Sequence, residues 1–148
     1  MMATESAVDE AALRERIDDL IEGVRSMDLD RLRPVYAPDI VSFDVQAPLQ
    51  RVGQDGKLQN WVEAFEAFQR PLGYEMRDLT ITVGGDVAFA HGLARLSGTL
   101  KNGNPAGGFW VRFTACFRKT EGNWVIAHDH ASVPLEVATG RAMLGLEP

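Results

Sequence analysis

Two of the three histidines in this sequence lie two residues apart, in the stretch WVIAHDHASVP at residues 124–134. If this stretch is a β-strand, alternation directs Trp124, Ile126, His128, His130 and Ser132 to one face. Histidines on a common face suit three roles. They can bind a metal ion, exchange protons near neutral pH, or hydrogen-bond the backbone in a structural role.

Metal binding is the first of these alternatives. A His-x-His pair on a strand presents two imidazoles to one ion, and the spacing from Gly122 to His128 matches the opening of a cupin metal motif. The rest of that motif is missing, because the expected acid is displaced to Glu136 and too few residues follow for a second motif. His91 or Asp44 remains available as a third ligand. We predict no bound metal and no cofactor.

Acid–base chemistry is the second alternative, and it adds a carboxylate to the histidines. The stretch IVSFDV at residues 40–45 alternates as a strand and places Asp44 on a partly apolar face. A carboxylate that faces an apolar cavity is suited to act as a general base. With His128 and His130 as proton donors or orienting groups, Asp44 could abstract a proton next to a carbonyl group or activate water.

Seven further residues are candidates for lining a pocket or binding a substrate: Tyr36, Trp61, Phe65, His91, Trp110, Arg112 and Thr114. Arg112 shares a face with apolar residues, so its charge needs either a substrate carboxylate or an acidic partner such as Asp44. Trp61 and Phe65 either pack in the core or line a cavity mouth. Asp129 and Ser132 are predicted to be a surface or dimer-face acid and a hydroxyl at a strand end.

The elements that must position these residues follow from periodicity. Helical spacing predicts a first helix from a Ser6 cap to about Met27, a second helix that reaches Tyr36, and a third over residues 57–68. Alternation predicts strands over residues 40–45, 74–83, 87–100, 109–119 and 124–133. Helices followed by an antiparallel meander indicate an α+β fold with the helices on one face of a curved sheet. We predict one domain over residues 1–148, with a flexible tail over about residues 1–6.

Composition excludes several classes of function. The net charge of -6 and the scattered basic residues disfavour nucleic-acid binding. No apolar run is long enough to span a membrane, and the acidic N-terminus does not resemble a signal peptide. We therefore expect a cytoplasmic protein. The single cysteine, Cys116, excludes an intramolecular disulfide.

A family resemblance adds to this interpretation. The segments YAPDIVSFDVQAPL, HGLARLSG and GFWVRFTACFRKTEGNWVIAHDHASVP resemble SnoaL-like, ketosteroid-isomerase-like members of the nuclear transport factor two superfamily, over nearly the whole chain. The resemblance implies a cone-shaped domain whose three helices pack on the concave face of the sheet, an apolar pocket, and dimerisation through the outer sheet face. It places Asp44 where ketosteroid isomerases carry their general base. The oxyanion donors fall near Leu20 and near Thr114 or Ala115, which disfavours ketosteroid isomerisation.

Two functions from different classes follow. The first is an isomerase, cyclase or lyase type of acid–base catalyst acting on a small apolar carbonyl compound. The second is a non-catalytic dimeric module for ligand binding or association, because fold alone does not decide between them. We expect a homodimer in either case, with an outer sheet face that carries the apolar residues Phe109, Val111, Phe113 and Phe117.

Overall fold

The computed structural model describes residues 2–148, with side chains from residue 5 onward, and within these residues the chain forms an α+β fold. The helices are α1 (Met2–Arg25), α2 (Leu29–Leu32) and α3 (Gln54–Ala67), with a 3-10 turn (Arg33–Val35) after α2. The strands are β1 (Tyr36–Phe43), β2 (Arg51–Val52), β3 (Gly73–Gly84), β4 (Val87–Thr99), β5 (Pro105–Thr120), β6 (Asn123–Ser132), β7 (Leu135–Glu136) and β8 (Arg141–Ala142).

Helix α1 begins earlier than its sequence pattern predicts. Its first residue is Met2, so Ser6 lies within the helix instead of capping it. The tail expected over residues 1–6 is helical from residue 2, while residue 1 lies outside the described residues. Ala3 and Glu5 are residue types that favour helix, and Glu5 suits the first turn because a carboxylate stabilises the N-terminal end of the helix dipole.

The second helix is shorter than predicted. It ends at Leu32, and the chain passes through the 3-10 turn directly into β1 at Tyr36. Its start is as expected, because the Asp28 side chain accepts a hydrogen bond from the Arg31 amide at 3.1 Å. Pro34 has no amide hydrogen to continue a helical ladder, so the regular helix stops before it. Tyr36 is therefore a strand residue that points into the core.

Six strands form one mixed sheet in the order β2-β1-β6-β5-β4-β3. The four long strands β3 to β6 are antiparallel neighbours, which confirms the predicted meander. Strand β1 pairs with β6 in parallel, and this pairing sets Ser42 opposite Asp129. Helices α1 and α3 pack on one face of the sheet and bury apolar side chains that include Leu13, Leu20, Trp61 and Phe117. Across residues 2–148, no helix combines the length and hydropathy needed to cross a bilayer.

A bulge in β6 reverses the faces of its second half. Phe117 of β5 lies opposite Ile126 and Cys116 lies opposite His128, so Ala127 is an extra residue without a partner in the register. Ile126 is buried in the core, and after the bulge Asp129 is the buried residue. His128 and His130 therefore lie on the outer face of the sheet. The prediction that they share the face of Ile126 is wrong.

The side chains of β5 point to the faces opposite to those predicted. Phe113 and Phe117 are buried against the helices, whereas Arg112 and Thr114 are exposed on the outer face. The large apolar side chains occupy the core because their burial stabilises the fold most. Phe109, Val111, Phe113 and Phe117 consequently belong to the inner face and cannot form the predicted dimer surface. The face of Trp110, Arg112 and Thr114 is the outer one.

Candidate functional site

A lysine is buried at the centre of the candidate site. Lys57 lies in the first half of α3 and its residue surface is only 3% exposed. Its Nζ lies 2.9 Å from Asp44 Oδ1 and 3.1 Å from Asp129 Oδ2. A buried ammonium group requires such partners, because an isolated charge in a protein interior is costly. One cation is thus shared by two carboxylates.

Ser42 connects the two carboxylates on their other side. Its hydroxyl makes a short hydrogen bond to Asp129 Oδ1, and its Oγ lies 3.3 Å from Asp44 Oδ2. Ser42 near the end of β1 and Asp44 just after it point to the same side, as alternation predicts, and the role of Asp44 as a base stays a prediction. Asp129 reaches this side only because of the bulge at Ala127. The expectation of a surface or dimer-face acid is therefore wrong, since Asp129 is 4% exposed.

Aromatic side chains surround the lysine. Its Nζ lies 5.6 Å from the centre of the Tyr36 ring and 5.7 Å from that of the Trp61 ring, within the range of cation–π attraction. The Trp61 indole N–H donates a hydrogen bond of 2.8 Å to the Tyr36 hydroxyl. Phe65 stacks on Trp61 at 5.9 Å, and Tyr74 meets Trp61 edge to face. Tyr36, Trp61 and Phe65 are thus brought together, as packed core residues.

Burial and charge change the proton affinity of this cluster. Burial lowers the pKa of Lys57, but attraction to Asp129 and Asp44 more than offsets that effect, so its pKa is raised. Burial raises the pKa of Tyr36 well above its ordinary value, and the charge of Asp129 adds to the increase. Burial also raises the pKa of Tyr74. At neutral pH Lys57 is therefore a charged hydrogen-bond donor, and both tyrosines are neutral.

A pocket of about 440 Å³ lies beside this buried cluster. It is formed between the segment at residues 43–50 and the end of β6, and its lining includes both Asp44 and His130. Phe43, Val45 and Leu49 give it a largely apolar wall. The structure therefore brings two of the three predicted catalytic residues to one pocket, at the end of the sheet.

The third predicted catalytic residue has a backbone partner. His128 Nδ1 hydrogen-bonds the carbonyl oxygen of Val41, and because a carbonyl only accepts, Nδ1 carries the hydrogen. The His128 ring meets Phe43 edge to face at 4.7 Å, and His130 meets the same ring at 5.5 Å. Of the three interpretations of the histidine pair, a structural role fits His128. His130 is exposed and lines the pocket.

The remaining predicted site residues lie on the outer face of the sheet. His91 pairs with Thr114, and Thr114 pairs with His130, so the three form one row across β4, β5 and β6. The Arg95 guanidinium group lies 5.9 Å from the Trp110 ring, also on this face. Arg112 is exposed opposite Ser132 and does not meet Asp44. The expectation that His91, Trp110, Arg112 and Thr114 line an interior pocket is therefore not met.

The geometry also addresses a metal site. Among residues 2–148, no three side chains of His, Cys, Asp or Glu are grouped closely enough to hold an ion. His128 is turned toward the Val41 carbonyl, and His91 is separated from His130 by the intervening strand β5.

Sequence reasoning missed Lys57, Ser42 and Asp129. A signal for Lys57 exists, because it precedes Trp61 by four residues and therefore lies on the apolar stripe of α3. Ser42 shares the face of Asp44 on β1. Asp129 had no comparable signal, since the bulge that turns it inward depends on pairing with β5.

Comparison with known proteins identifies the class of the domain. The family model described as SnoaL-like domain matches residues 13–136, and the chain belongs to this family. An NTF2-like protein of unknown function from Pseudomonas putida KT2440 is 29% identical with a TM-score of 0.86, covering 96% of this chain and 98% of that one. The chain is thus a SnoaL-like member of the NTF2-like superfamily with the cone fold. Curated protein sequences offer no match.

Two more distant structures share the fold. A ketosteroid isomerase-like protein from Erwinia carotovora atroseptica is 20% identical, with a TM-score of 0.69 over 82% of this chain and 93% of its own. An NTF2-like superfamily protein from Salmonella enterica is 17% identical, with a TM-score of 0.75 over 95% of this chain and 99% of its own. The family and these neighbours support a pocket protein and leave its particular reaction open.

Proposed function

We propose that this protein is an acid–base catalyst of the isomerase, cyclase or lyase type, acting on a small apolar carbonyl compound. One observation carries the proposal. Asp44 and His130 line the same partly apolar pocket, and the Asp44 carboxylate is held from behind by the buried Lys57 at 2.9 Å. A base whose position is fixed by a charged partner keeps the geometry that proton abstraction requires.

The proposed reaction begins with loss of a proton next to the carbonyl group. Asp44 accepts this proton, and the electrons of the broken C–H bond form the C=C bond of an enolate. His130, on the pocket wall, donates a hydrogen bond to the enolate oxygen. When a further C=C bond is conjugated with the enolate, return of the proton from Asp44 to the far carbon completes an isomerisation. Attack of the enolate carbon on a second carbonyl, whose oxygen takes the proton from Asp44, completes a cyclisation. Departure of a leaving group from the β-carbon with its electron pair completes an elimination.

Hydrogen–deuterium exchange tests the chemistry without knowledge of the natural substrate. β-Tetralone, an apolar ketone with acidic C–H groups, is incubated with the protein in deuterated buffer, and the loss of its signals is followed by proton NMR. We expect Asp44→Asn to slow the catalysed exchange by about 10²–10⁴-fold, the usual contribution of a general base. Asp86→Asn, at an exposed aspartate in the β3–β4 turn, is the control and should exchange like the wild type. Equal rates for Asp44→Asn and the wild type would refute the role of Asp44.

The second candidate is a non-catalytic dimeric module for ligand binding or association. It is favoured by exposed apolar side chains on the outer sheet face, where Val87 is 61% and Phe89 47% exposed. Val87 and Phe89 are therefore the proposed dimer surface, because the phenylalanines of β5 face inward. Light scattering should find a dimer, and Phe89→Glu should dissociate it. A wild-type protein that is monomeric by light scattering would contradict the homodimer.

The cytoplasmic location stays a prediction.

A further inference from the structure

The buried cluster beside the pocket contains more negative than positive charge. Asp44 and Asp129 share the single ammonium group of Lys57, and these side chains are between 4% and 12% exposed. The formal charge of the three groups is therefore -1. Charges in such a poorly hydrated region act strongly on a neighbouring ligand, because little water screens them.

The two oxygens of Asp44 are unequally engaged. Oδ1 accepts a hydrogen bond of 2.9 Å from Lys57 Nζ, whereas Oδ2 has a longer contact of 3.3 Å with the Ser42 hydroxyl. That hydroxyl has one hydrogen, and its short bond to Asp129 engages it. Asp44 forms part of the pocket wall, so a ligand in the pocket can supply a further and stronger donor to Oδ2.

The pocket wall contains no lysine or arginine. Its lining residues are Phe43, Asp44, Val45, Leu49, Gln50, His130, Ala131, Ser132 and Val133, of which only Asp44 and His130 carry ionisable side chains. Arg112, the residue that the sequence offered for a substrate carboxylate, lies opposite Ser132 on the outer sheet face and is not among the lining residues. An anionic ligand would thus meet the carboxylate of Asp44 without a lysine or arginine in the lining to compensate it.

We propose that the pocket selects uncharged or cationic apolar molecules and rejects carboxylates, and that the ligand directs a hydrogen-bond donor or an acidic C–H group at Asp44 Oδ2. This inference rests on the proposed function, since it names the substrate class of the same pocket. Phe43, Val45, Leu49 and Val133 receive the apolar body of the ligand. The charge selection comes from Asp44 and the cluster behind it.

Three probes of similar shape and different charge test this selection: benzylamine, benzyl alcohol and benzoate. Each is titrated into the wild-type protein at about pH 8, and the amide signals of Ala131 and Ser132 are followed by NMR. We expect the amine and the alcohol to bind at least about tenfold more tightly than benzoate, which corresponds to about 1.4 kcal/mol. Benzoate binding as tightly as benzylamine would overturn the proposal, and so would absence of binding by both the amine and the alcohol.

Two variants assign the selectivity to charge. Asp44→Asn should remove the preference of about tenfold for the amine over benzoate, whereas Asp86→Asn should retain it. Ser132→Lys places a cation at the pocket wall without altering the buried cluster and should favour benzoate, so the inference stays testable if Asp44→Asn does not fold. An unchanged ranking in Ser132→Lys would contradict the electrostatic argument. These titrations measure binding and not turnover. If the wild type ranks the three probes as expected but does not catalyse deuterium exchange on β-tetralone, the proposed reaction is rejected and the proposed ligand class is retained.

Discussion

Replacing Lys57 with methionine tests the arrangement of the buried cluster. Methionine keeps most of the apolar stem, so the principal change is loss of the ammonium group that contacts Asp44 and Asp129. Breaking a buried ion pair by removing one partner costs about 3–5 kcal/mol, because the remaining charge is left uncompensated. A domain of this size loses roughly 2–4 °C of melting temperature per kcal/mol, so the expected decrease is roughly 6–20 °C.

Urea denaturation at pH 7, followed by tryptophan fluorescence and circular dichroism, measures this loss. Lys101→Met is the matched control, because Lys101 is exposed in the β4–β5 loop, and it should change the free energy of unfolding by less than about 0.5 kcal/mol. The double variant Lys57→Met with Asp129→Asn should recover at least about 2 kcal/mol, since it also removes one unpaired carboxylate.

The pH dependence of Lys57→Met supplies an independent check. Without the ammonium group, two neighbouring carboxylates are buried with no partner cation, and uptake of a proton relieves their repulsion. The stability deficit of the variant should therefore shrink as the pH falls from about 7 to about 5. A loss below about 1 kcal/mol at pH 7, or a deficit that grows on acidification, would refute the burial of Lys57 between two carboxylates.

Three further predictions concern the same cluster and the strand that completes it. Asp44→Asn should destabilise the protein by about 1.5–3 kcal/mol in urea denaturation, the contribution of a hydrogen bond to a charged group, while Asp129 still holds the lysine; a loss above about 5 kcal/mol would disprove this sharing. The raised pKa values of Lys57, Tyr36 and Tyr74 mean that the folded state retains protons that the unfolded chain releases above about pH 10. The free energy of unfolding should therefore decrease as the pH rises above about 10, by as much as about 4 kcal/mol per pH unit for three protons. A free energy of unfolding that stays constant from about pH 9 to 11 would contradict these shifts. Deletion of Ala127 should remove the bulge and keep Asp129 inward, because Ile126, His128 and Asp129 then alternate regularly opposite Phe117, Cys116 and Ala115, and a loss of more than about 3 kcal/mol in urea denaturation would contradict this register.

The features that could be read from the sequence depend on neighbours within one element. Helical spacing predicts α1 and α3, and alternation predicts the four long strands, because side-chain direction repeats at every few residues along a regular backbone. The same rule places Asp44, the residue after β1, on the inner side with Ser42. The order of helices and strands then indicates the α+β class, and the resemblance to SnoaL-like proteins agrees with the family match.

Features that depend on contacts between distant segments were decided only by the tertiary structure. The parallel pairing of β1 with β6 sets Ser42 opposite Asp129, although the two residues lie far apart in the chain. The unpaired Ala127 moves the histidines outward and Asp129 inward, and a one-residue shift of this kind reverses every later side chain. The buried Lys57 is compensated by two acids, Asp44 after β1 and Asp129 in β6, which meet only once the chain is folded.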